Sequence, residues 1–368
     1  MVWSIYQYPV VLYRGSDTQP GSRGESFSGD DRYLYNKLFG WTGNDTIVGG
    51  GIYETIFGYG GNDQLRAGGC HSAFIDGGED NDSIRGGCSK DTLIGGAGND
   101  TINGMQGNDT IFDSSGDNFL LGGDGNDTIR GGAGDDTISG GEGNDSIYSS
   151  TGDGSICGNA GNDTIYSQQG VNEVIWGGDG NDSIRVVDAD FFAVIDGQEG
   201  NDTISITGLG GDVYTGHGNN YVWAYSMDSG QAHQSAMRIH SDGNDTVNAS
   251  GVAVDIIAGS GRGYYYLANV ASSQVRYDSM QYSTRANPDW IYGWGSGGHD
   301  HEIDLHYITE GRDFFPANSS SDHSAGAFWI SNGVMSSTFD YYRETNGAPL
   351  HISFWRPSHD ISIQDFFF

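Results

Sequence analysis

Lysine is almost absent from this chain. Among 368 residues only Lys37 and Lys90 are lysines, and sixteen basic side chains face forty-nine acidic ones, a formal net charge of −33. A surface so negative disfavours nucleic acid and anionic membrane as partners and favours bound cations. Proline is scarce, at six residues, and the sixty-two glycines show no Gly-X-Y period, so the chain is not collagen-like. No run of eighteen apolar residues is present, which leaves no candidate for a membrane-spanning helix. The opening MVWSIYQYPVVLYRG has neither a basic start nor a long apolar core and is not a standard secretory signal. There is no G-x-S-x-G elbow, since the serine of GWGSGG is out of frame, and no phosphate loop or CxxC pair. Carboxylates are so abundant that none stands out as an acid/base dyad, so no catalytic residue is assigned.

The dominant feature is a nine-residue period. From Gly95 to Ile147 the chain reads GGAGNDTIN, GMQGNDTIF, a blurred DSSGDNFLL, then GGDGNDTIR, GGAGDDTIS and GGEGNDSIY. Glycine this dense costs a helix about 1 kcal/mol at each occurrence. The pattern predicts a tight glycine turn followed by a three-residue strand with its lone Ile pointing inward. Two units make one coil of eighteen residues, and coils stack into a parallel β-roll. Stacking places aspartates of successive coils about 5 Å apart. That ladder is repulsive unless a hard cation, held by carboxylate and carbonyl oxygens, neutralises it.

The units resemble the GGxGxDxUx nonapeptides of the RTX (hemolysin-type) calcium-binding repeat family. The resemblance implies an all-β, right-handed parallel β-roll with Ca²⁺ between coils. The corresponding metal-binding candidates are Asp45, Asp63, Asp82, Asp91, Asp100, Asp109, Asp127, Asp136, Asp145, Asp163, Asp182 and Asp202, with Asp245 from a late copy, SDGNDTVNA. Inward positions follow two residues later, from Ile47 and Leu65 to Ile184 and Ile204. Ile56, Leu120, Ile156 and Val174 keep the apolar register where aspartate is missing. Alternate units fall on opposite edges. One edge carries Asp45 to Asp136 and loses consensus at Gly154 and Asn172. The other begins with Glu54 and Ser72 and then runs from Asp91 to Asp202. The degenerate edges are candidate binding or packing surfaces.

This reading divides the chain into an N-terminal cap or strand segment at 1–42, a calcium-binding roll at 43–213, and a degenerate continuation with an aromatic-rich C-terminal β domain at 214–368. Residues 1–40 are aromatic, and their strands either cap the first coil or are donated to a neighbour; residues 15–31 read as a loop. Cys70 and Cys88 lie one coil apart, within disulfide reach, and form either a disulfide or two free thiols. Strands are expected near Gln274–Tyr282, Glu302–Ile308 and His351–Trp355. The cluster from His299 to His306 has HExxxH spacing, which on a helix turns its histidines away from a shared metal; it reads as a solvated strand. The closing DISIQDFFF resembles the C-terminal ends of type I secretion substrates, or is a final packed strand. Only about forty residues precede the repeats, too few for an independent catalytic core. The expectation is an extracellular or cell-surface, calcium-dependent structural protein that self-associates, with no nucleic acid and no membrane insertion. The competing expectation is a secreted enzyme or carbohydrate-binding protein, a surface glycan being its ligand.

Overall fold

The computed structural model describes residues 11–14, 26–28, 35–50, 52–149, 151–168, 172–189, 193–208, 210–225, 237–250, 254–259, 263–268, 273–277, 290–292, 301–304, 330–331, 334–335, 351–356 and 359–361. Every regular element among them is a strand. The chain forms two compact units, residues 1–174 and 175–368.

In the first unit two parallel ladders alternate along the sequence. One begins with Val11–Arg14 and Tyr35–Thr42 and continues through Thr110–Phe112 and Thr128–Arg130 to Ser146–Tyr148 and Thr164–Gln168. The other begins with Ser26–Ser28 and Thr46–Val48 and continues through Thr101–Gln106 and Phe119–Asp124 to Ser155–Ala160. Each strand pairs with the strand one coil later, so like residues stack: Ile111 beside Ile129, Ile129 beside Ile147, Ile102 beside Leu120. These residues form the core, and Ile47, Ile56, Leu93, Ile111, Leu120 and Ile156 are fully enclosed. Period-two alternation puts the core residue inward and its two neighbours outward.

The structure corrects the sequence reading at three places. Coiling starts before Gly43: Leu38 is buried opposite Ile56, and Ser26–Ser28, within the expected loop, is a strand with Phe27 opposite Ile47. The position expected at Ser72 belongs to Ala73, which precedes the buried Ile75. Glu173 and Ile175, not Asn172 and Val174, take the acidic and core positions in their unit, with Ile175 buried and Val174 half-buried. One extra residue in each preceding turn shifts the register, and period-two burial then decides which side chain goes inside.

The second unit again contains a pair of parallel ladders, and near its end two antiparallel pairs, Ile330–Ser331 with Val334–Met335 and His351–Arg356 with His359–Ile361. Ser183–Ala189, Thr203–Gly208, Tyr221–Tyr225, Thr246–Ser250, Tyr264–Ala268 and Trp290–Tyr292 follow one another in one. Val194–Glu199, Asp212–Tyr214, Met237–Ser241, Val254–Ala258, Ser273–Tyr277, His301–Asp304 and His351–Arg356 form the other. The strands expected beyond Tyr264 therefore exist as parallel rungs, and His301–Asp304 is strand rather than helix. His299 and His306, the N-terminal Trp3, Ile5 and Tyr8, and DISIQDFFF beyond Ile361 lie outside the described residues. Among the described residues no helix is long and apolar enough to cross a membrane.

Cys70 and Cys88 are joined by a disulfide across adjacent coils, with their Cα atoms 4.4 Å apart. Cys157 is in no disulfide.

Candidate metal centre

Each turn is closed by a pair of residues five apart, a glycine at the first position of the nonapeptide and an aspartate at the sixth. The aspartate is buried, and its two oxygens are treated differently. Oδ1 accepts the backbone N–H of the equivalent residue one coil earlier: Asp91 to Asp109, Asp109 to Asp127, Asp127 to Asp145 and Asp145 to Asp163, each at 2.7 Å. The opposite edge runs the same way through Asp45, Asp63, Asp82 and Asp100, at 2.7–2.8 Å. In the second unit Asp182 donates to Asp202 at 2.9 Å, Asp202 to Asn220 at 2.8 Å and Asn220 to Asp245 at 2.9 Å. The expected sorting of aspartates onto two edges is what these ladders contain.

Oδ2 is the chemically unsettled atom. In Asp63, Asp82, Asp100, Asp109, Asp127, Asp136, Asp145 and Asp202 it is buried and meets no donor. It lies over the glycine of its own turn, and in Asp63, Asp82, Asp109, Asp127, Asp145 and Asp202 a carbonyl oxygen of the next coil stands beside it. A Cβ on Gly197 would stand 2.6 Å from Asp202 Oδ2 and 2.5 Å from the carbonyl oxygen of Thr215. On Gly86 it would stand 2.7 Å from Asp91 Oδ2 and 2.5 Å from the Gly104 carbonyl oxygen. Glycine is required here because oxygens converge where a side chain would be. A buried anionic oxygen without a donor is costly. The cost appears as raised pKa values. Burial pushes Asp63, Asp109, Asp145 and Asp202 up to about 7 and Asp82 to about 8, against the opposing pull of the backbone N–H bonds. Asp136 is raised to about 6 by the same cause.

A carboxylate oxygen and carbonyl oxygens gathered in a dry cradle suit a hard divalent cation, which takes six to eight oxygen ligands. Among the described residues no three His, Cys, Asp or Glu side chains gather at one point. The donor set therefore draws on the backbone, and this chain's glycines leave those carbonyls accessible.

Not every candidate has the same surroundings. Asp91 Oδ2 accepts the N–H of Gly87 at 2.6 Å while Oδ1 accepts that of Ala73 at 2.7 Å. Asp245 Oδ2 accepts the hydroxyls of Thr215 at 2.7 Å and Ser241 at 2.9 Å, and Ser241 in turn is met by Tyr265. Protein donors already serve these two carboxylates. Where asparagine replaces aspartate, its amide goes where a cation would: Asn118 Nδ2 donates to the carbonyls of Gly116 at 3.0 Å and Gly131 at 3.3 Å.

Sequence reasoning missed the residue before each aspartate. Asn62 N–H donates to Asn44 Oδ1 at 3.0 Å, Asn99 N–H to Asn81 Oδ1 at 2.7 Å, and Asn144 N–H to Asn126 Oδ1 at 2.8 Å. This exposed ladder points toward the preceding coil, opposite to the aspartate ladder. The signal was present in the repeated Gly-Asn-Asp, since only a side chain with an acceptor can support it.

Fold and turns together define a parallel β-solenoid with oxygen-lined, anionic turns. Residues 35–51, 54–70, 74–102, 89–120, 112–147, 121–156, 140–174 and 148–184 match the RTX calcium-binding nonapeptide repeat family. Within residues 35–184 the chain therefore carries RTX-type calcium-binding repeats, laid out as a parallel β-roll. The chain matches no curated protein.

Proposed function

We infer that this is a secreted protein whose roll folds on binding Ca²⁺ and serves a structural, self-assembling role outside the cell. The observation that carries the reading is the file of buried Oδ2 atoms without donors, those of Asp63, Asp82, Asp109, Asp127, Asp145 and Asp202 each beside a carbonyl oxygen. Calcium is held by Asp63, Asp82, Asp100, Asp109, Asp127, Asp136, Asp145 and Asp202, with Asp45, Asp163 and Asp182 at equivalent places. Asp91 and Asp245, already served by protein donors, bind least strongly. Bound calcium supplies charge neutralisation and links one coil to the next.

The energetics favour folding coupled to binding. One core residue per nine is thin compensation for ordering a glycine-rich chain. At calcium tenfold above the dissociation constant each site adds about 1.4 kcal/mol. About ten sites rival the roughly 5–15 kcal/mol that holds a whole domain. A low-calcium cytoplasm then keeps the chain unfolded for export, and folding follows outside.

Self-association is supported by the exposed Trp41, Tyr53 and Tyr59 of the first coils. Trp41 and Tyr59 take positive φ, 152° and 79°, at the position where the next coils have Gly78 and Gly96. Such conformations cost about 1–3 kcal/mol each and persist where a side chain is useful. Their rings stack on each other, 6.0 Å between centroids, as do Phe39 and Phe57 at 5.6 Å. Rings that cover one another's faces favour a protein neighbour over a sugar.

Circular dichroism in excess chelator at neutral pH tests the reading, with loss of most β signal expected and recovery on adding calcium. A full native signal without any divalent metal refutes it. Replacing Asp109, Asp127 and Asp145 together with Ala is expected to raise the calcium midpoint several-fold and flatten the transition.

A further inference from the structure

One turn departs from the rest. In the repeat DSSGDNFLL the first position is Asp113 where neighbouring repeats have Gly104 and Gly122, and the sixth is Asn118. The Asp113 side chain is fully buried, and that of Asp100 is 1 % exposed. Asp113 Oδ1 accepts the Ser115 N–H at 3.0 Å. Its Oδ2 meets no donor, and neither does Asp100 Oδ2. Both Oδ2 atoms lie over Gly95, where an added Cβ would collide with each of them. In the turns before it on the same edge the second oxygen there is a carbonyl, that of Gly77 beside Asp63 and that of Gly95 beside Asp82. Here it is a second carboxylate. Two anionic oxygens facing each other in a dry pocket repel strongly unless a cation or a shared proton lies between them. The following turn takes no part, because the Asn118 amide already occupies the Gly116 and Gly131 carbonyls.

We propose that Asp100 and Asp113 jointly hold one divalent cation of the calcium class, more tightly than the one-carboxylate turns around them. The inference rests on the calcium reading above and adds a chain-specific site that the repeat pattern does not contain. Calcium affinity rises with the number of charged ligands, and one further full charge in a rigid site is worth about tenfold or more. This site keeps its ion when the others have released theirs, and makes residues 95–121 the last part of the first unit to lose its order as calcium is withdrawn.

The test withdraws calcium from the full-length protein with a series of buffered chelators and counts the ions that remain bound. The wild type should retain about one calcium at a free concentration about tenfold below that which empties the other sites. Asp113→Gly, which restores the residue of the neighbouring repeats, should lose that last ion and keep the rest. Asp127→Asn should lose a weakly held ion and keep the tight one. Asp113→Asn preserves the shape and the Ser115 bond and repeats the test if the glycine variant does not fold. A tight ion that persists in both Asp113 variants, or no tightly held ion in the wild type, overturns the proposal and leaves the two carboxyls sharing a proton. A protein that binds calcium without an Asp113-dependent step refutes this inference alone, whereas one that binds none refutes the calcium reading as well.

Discussion

In most coils of residues 1–174 the inward position two residues after a core side chain is glycine, with a carboxylate laid over it: Gly104 follows Ile102, Gly122 follows Leu120, Gly140 follows Ile138. In residues 175–368 one ladder fills that position with hydrocarbon, Val186 after Ile184, Ile206 after Ile204, Ala224 after Val222 and Ala249 after Val247, all buried. The residue that closes the turn changes with it, to Ala193, Gly211, Met237 and Val254. The same backbone coil is thus closed in two ways. A carboxylate with a glycine needs a ligand to settle its charge. An apolar pair needs none, and each buried methylene contributes about 0.8 kcal/mol. What reads in sequence as a degenerate edge, open to binding, is in this unit interior packing.

Hydrogen exchange is the strongest way to break this comparison. In chelator, amides of Thr110–Phe112, Thr128–Arg130 and Ser146–Tyr148 should lose protection by about a hundredfold or more, the equivalent of at least two vacated sites at roughly 1.4 kcal/mol each. Those of Thr203–Gly208, Tyr221–Tyr225 and Thr246–Ser250 should lose far less. Equal losses would mean the apolar turns confer no independence.

Acid should act on the calcium-free roll in an unusual direction. An unfolded aspartate titrates near 3.9, whereas burial holds Asp63, Asp109 and Asp145 at about 7 and Asp82 at about 8 in the folded chain. The folded state therefore binds more protons between about pH 4 and 8, and stability falls as pH rises through that window. Lowering the pH from 8 to 5 in chelator should return β signal to the chain. With calcium in excess the sign reverses, because protons compete with the ion for the same oxygens. Circular dichroism melts at both pH values, with and without calcium, check both signs.

A smaller effect sharpens the account of the cradle. Gly104→Ala would drive a Cβ into Asp109 Oδ2 and the Gly122 carbonyl, and is expected to cost about 1–3 kcal/mol and weaken calcium binding. Gly60 has open space where its Cβ would stand, so Gly60→Ala should stay within about 0.5 kcal/mol when both variants are compared with wild type by urea titration.

The core file from Ile47 to Ile204 and the sorting of aspartates onto two edges were legible because both are periodic. The adjacency of Cys70 and Cys88 followed from the same eighteen-residue spacing, which left their disulfide open. The slips at Ala73 and Glu173 were not legible, because a single added residue leaves composition unchanged and only burial reveals which neighbour went inside. Nor was the inequality among the aspartates. Asp245 carries the same Gly-Asn-Asp-Thr as Asp109, and Asp91 shares its Asp-Thr, yet they are served by Thr215 and Ser241 on the one hand and by Gly87 on the other. Thr215 lies thirty residues from Asp245 and belongs to a different coil.

The two polar ladders run against each other: asparagine oxygens receive from the coil that follows, aspartate oxygens from the coil that precedes. A coil is therefore a two-sided tile, and its interlocks match only when whole tiles are added or removed. Excising the eighteen residues 122–139 would bring Gly140 to the place of Gly122 and Asp145 to that of Asp127, with each strand still in its own ladder. Excising nine would exchange the two ladders for every later strand of the first unit. Where the chain gains or loses whole coils it should consequently do so two repeats at a time, with single residues added only in the turns, a quantised ruler written into the direction of its hydrogen bonds.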